Sequence, residues 1–318
     1  MPRHLKIAAA QLGPIHLADT REAVVKRLIS LMREAHGHGA RFIVFPELAL
    51  TTFFPRWWME DQAEVDRRFF EKSMPSPVTR PLFEEGKRLG VGYYIGFAEL
   101  TQEESRMRRF NASILVAPDG NIVGKYRKVH LPGHADHKPG AAFQHLEKKY
   151  FEVGDLGFKV WRFMDTITGM LICNDRRWPE AFRVLALQAA EIVALGFNTP
   201  TENLHYPEPP ALRVHHHLIM AQSMAYQNAT WLVETAKCGA EDGFRMFGHS
   251  LIVAPTGEIA AKSTTEEDEV VCFNCDINLA QDLKRTMFNF AAHRRPEHYR
   301  LIVERVGAEV TPANDGDS

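Results

Sequence analysis

Cys173 ends an apolar run, Thr168-Gly-Met-Leu-Ile-Cys173, and the chain then reads Asn174-Asp-Arg-Arg-Trp-Pro179 before a helical pattern that starts near Glu180. A thiol at such a strand-to-helix turn projects from the end of a sheet, and the positive end of a helix dipole favours the thiolate, the nucleophilic form of cysteine. The spacing therefore predicts a nucleophile with a pKa below the free value of about 8.5. A nucleophile of this kind needs a proton acceptor, and a cation for the charge that develops on the attacked oxygen. Glu47, after Pro46 at the end of Phe42–Phe45, offers a carboxylate; Lys128, within Tyr126-Arg-Lys-Val-His-Leu-Pro132, offers an ammonium. Read singly, Glu47 also fits a solvated or capping carboxylate, and the basic segment also fits a solvated strand face. His145 and Glu147 lie in Phe143-Gln-His-Leu-Glu147, where either is equally an ordinary surface group, and Asn198 and Thr199 follow the apolar run Ile192–Phe197.

Arg176 and Arg177 fall in what the pattern predicts as the first turn of the helix after Cys173, where a cation faces the positive end of the dipole. Either Asp175 or Glu180 compensates them, or at least one arginine holds a substrate carboxylate with charge-assisted bonds.

The elements that position these residues alternate along the chain. Helical patterns near Arg21–Ala35, Thr79–Leu89 and Glu180–Ala190 are followed by apolar runs at Phe42–Glu47, Val91–Leu100 and Ile192–Phe197. Such alternation predicts an α/β sheet covered by helices. Catalytic groups in these sheets gather beyond the carboxyl ends of strands, so Glu47, Cys173 and Asn198 are expected to converge. An internal repeat adds to this: Ser113-Ile-Leu-Val-Ala-Pro-Asp-Gly-Asn-Ile-Val-Gly-Lys125 returns as Ser250-Leu-Ile-Val-Ala-Pro-Thr-Gly-Glu-Ile-Ala-Ala-Lys262, each a strand, a Pro-x-Gly turn and a second strand. Two similar halves packed about a pseudo-two-fold are expected, as one domain over residues 1–306, since no Gly/Ser-rich linker divides them. Asn203–Arg213, with Pro207, Pro209 and Pro210, reads as a surface excursion near the site mouth, and 307–318 as a disordered tail.

Composition excludes several classes. With 318 residues, 45% hydrophobic and 25% charged, and a formal charge of −2, the chain carries no electrostatic footprint for nucleic acid. No run reaches the apolar length of a membrane span, and the apolar stretch near the start is too short for a signal peptide. Four cysteines do not make a disulfide framework in so long a chain, which fits a reducing, cytoplasmic setting.

Taken together the motifs resemble something specific. Glu47 in Phe-Pro-Glu, Lys128 in Tyr-Arg-Lys-x-His-Leu-Pro and Cys173 in Ile-Cys-Asn-Asp match in order the Glu-Lys-Cys triad of the nitrilase superfamily, with Glu147 matching its second glutamate. Phe42–Trp57, Gly124–His134, Phe143–Phe158, Met170–Val193, Asn198–Thr201, Gly248–Val270 and Phe288–Ile302 look like the N-carbamoyl-D-amino acid amidohydrolases in particular. The chain departs from that pattern in Glu202–His216, and Val153 stands where a proline is expected. The resemblance implies a four-layer αββα sandwich, a small-molecule substrate, assembly into dimers or tetramers, and neither metal nor organic cofactor. It implies Glu47 as general base, Lys128 as electrophilic stabiliser, Cys173 as nucleophile and Glu147 as an orienting group. His145, Asn174, Arg176, Arg177 and Thr199 match substrate-contacting positions, and Asn198 is taken with them.

Rival readings are weaker. Cys272-Phe-Asn-Cys275 invites a redox or zinc site, but residues three apart in the strand-like run Glu269–Ile277 point to opposite faces. His215-His-His217 and His134-x-x-His137 evoke a metal amidohydrolase, yet adjacent histidines on one helix face different directions. A catalytically silent subunit is expected to have lost part of the triad, which is complete here. Simple amidases and β-ureidopropionase-like enzymes are nearer alternatives, and a simple amide has no carboxylate for the paired arginines to hold.

Overall fold

The computed structural model describes residues 3–141, 143–202 and 208–310. Its first half forms β1 (His4–Gln11), β2 (Phe42–Val44), β3 (Phe70–Glu71), β4 (Gly92–Glu103), β5 (Arg106–Val116) and β6 (Ile122–Arg127). The second half forms β7 (Val160–Phe163), β8 (Thr166–Ile172), β9 (Ile192–Phe197) and β10 (Trp231–Ala236), then a separate hairpin of β11 (Cys238–Glu241) and β12 (Phe244–Phe247). It closes with β13 (Leu251–Val253), β14 (Ile259–Lys262) and β15 (Glu269–Asp276).

The strands assemble into two sheets of matching order. One runs β15-β1-β2-β4-β5-β6, with β3 beside β4, and the other β7-β8-β9-β10-β13-β14. In both, two parallel pairs lie between one antiparallel pair on one side and two on the other. The internal repeat becomes the hairpins β5–β6 and β13–β14, and each carries a register shift at the same point, Leu115/Val116 and Ile252/Val253. These are the two similar halves expected from sequence.

Period-two alternation assigns each strand a face to each layer. Ala8 and Ala10 of β1, with Tyr93 and Ile95 of β4, pack under helices α1 (Arg21–Gly37) and α3 (Arg80–Leu89), while α2 (Gln62–Phe69) lies in a separate cluster nearer β3. Ile7 and Ala9 of β1, with Tyr94 of β4, face the second sheet. The short α4 (Glu147–Tyr150) belongs to the site described below, and α5 (Pro179–Leu187) and α6 (Pro210–Asn228) cover the far side of the second sheet through Ala181, Phe182, Leu185, Ala221 and Ala225. The result is the four-layer αββα sandwich. Cys275 enters the core between the sheets and Cys272 packs against the opposite cluster, so the two sulfurs face apart. The Asn203–Arg213 excursion is shorter than expected, because α6 already begins at Pro210, whose ring suits the first helical position; residues 203–207, like 311–318 of the predicted tail, lie outside the described residues.

Candidate active site

Glu47 emerges where β2 ends and Pro46 turns the chain between the two sheets. Its backbone passes so close to both that a Cβ on Gly96 of β4 would lie 2.7 Å from Glu47 Cα, and one on Gly196 of β9 would lie 2.4 Å from Glu47 N. Two glycines, one from each sheet, thus make room for the carboxylate-bearing segment. The side chain is fully buried and fixed at every side. Oε1 accepts from Lys128 Nζ at 2.8 Å and Asn111 Nδ2 at 2.8 Å, Oε2 accepts from the Asn198 backbone N–H at 2.9 Å, and the Glu47 carbonyl accepts from Asn198 Nδ2 at 2.9 Å.

Lys128 follows the last residue of β6 and is also fully buried. The basic segment is therefore no solvated face: Lys125 and Arg127 bond Glu99, and Lys128 turns inward to Glu47 and to Glu147 Oε2 at 2.5 Å. Glu147 opens α4, and its segment is held by backbone bonds from Gln144 to Arg56 and from Leu146 to Pro55. Asn111 Nδ2 approaches Glu147 Oε2 at 3.4 Å, and His145 Nε2 lies 3.2 Å from Oε1. The two carboxylates diverge in character. Burial raises the pKa of Glu47, with Lys128 offsetting part of that; Glu147 is equally buried, yet Lys128 and His145 outweigh burial and hold it below the ordinary value. Burial opposes the Lys128 charge, but Cys173, Glu147 and Glu47 outweigh it and push its pKa up. A cation thus sits between one carboxylate held ionised and one biased towards taking a proton.

Cys173 stands at the predicted turn with a left-handed backbone, φ 45°. A side chain rarely adopts that region, at a cost of order 1–3 kcal/mol, so the surroundings must hold it there. Asp175 does so: its carboxylate accepts from Ile172 N at 3.0 Å, Tyr126 Oη at 2.7 Å and His130 N at 3.0 Å. The thiol is almost fully buried, with Sγ 3.6 Å from the Asn198 carbonyl oxygen. The sequence-based expectation of a lowered thiol pKa is reversed: burial, then the charge of Glu47, raises it to about 11 despite Lys128 and Arg176. The helix that was expected to oppose this is displaced along the chain. Residues 173–177 form a 3-10 turn and α5 starts only at Pro179, so the helix dipole does not begin at the thiol, and the arginines precede the helix instead of occupying its first turn.

Asn174, Arg176 and Arg177, which follow Cys173 in the chain, line a cavity of about 640 Å³ together with His145 and Thr199; Cys173 itself is not among its lining residues. Asn174 accepts from Arg177 Nη1 at 3.1 Å and donates to the His130 carbonyl. Arg176 is 1% exposed, stacks over Phe197 at 4.0 Å and donates through Nη2 to Thr199 Oγ1 at 2.8 Å, while Nε and Nη1 have no hydrogen-bond partner among the described residues. Asp175 is engaged with Tyr126, His130 and Ile172, and among the described residues neither it nor Glu180 pairs with either arginine. Asn198 departs from expectation too. It is not among the residues lining the cavity but clamps Glu47, because it directly follows β9, where its backbone N–H and side-chain amide meet the Glu47 carboxylate and carbonyl.

A family model described as carbon-nitrogen hydrolase matches residues 6–285. The chain belongs to the carbon-nitrogen hydrolase family. N-carbamoylputrescine amidase of Arabidopsis thaliana is 30% identical over 96% of this chain and 97% of its own, and citrullinase of Francisella tularensis is 28% identical over 95% and 99%. The solved carbon-nitrogen hydrolase of Helicobacter pylori superposes with a TM-score of 0.79 at 22% identity, covering 95% of this chain and 99% of that one. This carbon-nitrogen hydrolase is accordingly an enzyme acting on amides.

Sequence reasoning missed several residues that shape the hydrolase site. Asn111 bridges the two carboxylates, and its trace in the sequence is a lone amide inside the apolar run Phe110–Val116. Asp175, which sequence offers as a possible partner of the arginines, is instead the brace of the turn. Arg213, from α6, lines the same cavity, with no signal beyond its place in the divergent segment. Among the described residues no group of three His, Cys, Asp or Glu is arranged to hold a metal, and no helix is long and apolar enough to cross a membrane.

Proposed function

We propose that this enzyme hydrolyses N-carbamoyl-D-amino acids to the D-amino acid, carbon dioxide and ammonia through a covalent intermediate on Cys173. The thiol attacks the ureido carbonyl while Glu47 takes its proton, forming the C–S bond; Lys128 and the backbone N–H after Cys173 receive the negative charge on the oxygen. Glu47 returns the proton to the departing nitrogen, leaving a thiocarbamate. Water, deprotonated by Glu47, then breaks the C–S bond, Glu47 returns that proton to the thiolate, and the released carbamic acid splits its remaining C–N bond to give carbon dioxide and the second nitrogen product. A raised thiol pKa and a carboxylate biased towards protonation suit this order, since the proton moves as attack occurs. Glu147 keeps Lys128 charged and aimed.

The observation that carries the substrate class is Arg176, a buried cation facing the cavity with two of its three nitrogens unpartnered among the described residues. A buried guanidinium without an anion is costly, and a substrate carboxylate supplies the missing partner. The D configuration rests on the likeness of Met170–Val193 and Asn198–Thr201 to the D-amino acid family. Exposed Val184, Leu187 and Ile219 on α5 and α6 favour a homo-oligomer. A second reading, a ureido substrate that also bears an ammonium group, draws on the two relatives' names and on Glu202 and Glu208 at the cavity wall.

The test is ammonia release from matched D- and L-carbamoyl amino acids, citrulline, N-carbamoylputrescine and a neutral amide analogue, with Arg176→Ala and Arg177→Ala beside the parent enzyme. Loss of the carboxylate contact costs about 2–5 kcal/mol, or roughly 30-fold to several thousand-fold in kcat/KM, on the charged substrate only. Equal losses on charged and neutral substrates, or preferred turnover of N-carbamoylputrescine, overturn the reading.

A further inference from the structure

The cavity holds more positive charge than one carboxylate answers. Among the described residues, Lys138, Arg176, Arg177 and Arg213 line it against Glu202 and Glu208. Arg213 is nine-tenths buried. Glu208 lies 3.7 Å from Nε, beyond hydrogen-bond distance and shared with His216 at 3.5 Å, while Nη1 has no hydrogen-bond partner among the described residues. The backbone around it adds to the imbalance. Arg213 is the fourth residue of α6, a helix of 19 residues with no side-chain cap and no acid in its first turn. A cation there faces the positive end of the dipole, and the uncapped N–H groups beside it favour an anion. Burial lowers the Arg213 pKa, Glu208 offsets part of that, and the Arg176 charge lowers it further.

Building on the proposed hydrolysis, we infer that the substrate carries a second anionic group on its side chain, as in the N-carbamoyl derivative of an acidic amino acid, and that Arg213 binds it. Arg176, against Thr199 and near the thiol, takes the carboxylate next to the ureido nitrogen. Arg213, on the α6 side of the same cavity, takes the distal one. The two guanidinium groups repel each other while the cavity is empty, and a dianion relieves both.

The test compares N-carbamoyl-D-glutamate with N-carbamoyl-D-glutamine, which have the same shape and differ by one charge. The parent enzyme is expected to prefer the glutamate form by roughly 10- to 1000-fold in kcat/KM, the range for a desolvated charge contact. Arg213→Ala is expected to bring that ratio towards one, and Arg213→Lys to recover part of it. A parent preference for the glutamine form, or an unchanged ratio in Arg213→Ala, overturns the inference. A second measurement separates it from the reaction itself: calorimetric titration of Cys173→Ala protein with glutarate and with its monoamide, with and without Arg213→Ala. Glutarate is expected to bind at least tenfold more tightly, and only when Arg213 is present. If that holds while no carbamoyl amino acid is turned over, the proposed reaction falls and the two-anion site stands. If neutral carbamoyl-D-amino acids are turned over and glutarate shows no advantage, the site falls and the reaction stands.

Discussion

The resting state of Cys173 gives a sharp test of how the site works. With the thiol pushed up to about 11, the thiolate fraction at pH 8 is on the order of one in a thousand, since each pH unit below the pKa is a factor of ten. A free cysteine with a pKa of about 8.5 is roughly one quarter thiolate at that pH. Alkylation of Cys173 by a small uncharged reagent should therefore be at least 100-fold slower than that of a free thiol at pH 8, and should rise about tenfold per pH unit from 7 to 9.5. Quantifying the modified peptide by mass spectrometry isolates Cys173 from the partly buried Cys272. Replacing Glu47 by glutamine separates two effects of one side chain. The Glu47 charge is the second-largest contribution raising the thiol pKa, so Glu47→Gln should shift the alkylation profile to lower pH. Turnover should nevertheless fall by about 10²- to 10⁴-fold, the usual contribution of a general base. A parent profile already flat below pH 8 would mean a resident thiolate paired with Lys128, and turnover within tenfold of the parent in Glu47→Gln would remove Glu47 as the base.

Two further outcomes follow from packing and charge. Gly196→Ala places a Cβ 2.4 Å from the backbone N of Glu47, where neither atom belongs to a flexible side chain, so a destabilisation of about 1–3 kcal/mol or more is expected; an unchanged melting temperature together with full activity contradicts the squeezed geometry. Glu85, held down to about 2 by bonds from Arg88 and Arg33, has a lowered folded-state pKa, so its contribution is present above its ordinary value of 4.5 and is lost as pH falls towards 2. The urea midpoint difference between the parent and Glu85→Gln should thus be constant above about pH 5 and shrink below it, and a difference that grows on acidification is incompatible with that sign.

Much of this protein is legible in one dimension. The alternating helical and apolar segments predict an α/β sheet, and the repeat Ser113–Lys125 and Ser250–Lys262 predicts two matching halves, because a strand, a Pro-x-Gly turn and a second strand are local features that sequence encodes directly. The turn at Cys173 is legible for the same reason. The opposite-facing Cys272 and Cys275 follow from strand periodicity alone. Tertiary structure decided the rest, and in each case the reason is burial or long-range contact. The thiol pKa reverses direction because enclosure between the sheets outweighs a dipole that starts six residues later at Pro179. Asp175 braces the nucleophile's turn through Tyr126 and His130, 49 and 45 residues away, and so does not pair with its sequence neighbour Arg176. Asn198 binds the base instead of the cavity, because β9 delivers it to Glu47, 151 residues distant. Asn111 and Arg213 enter the site from segments with no motif, since a strand interior and a helix start acquire chemical meaning only from what the fold sets opposite them.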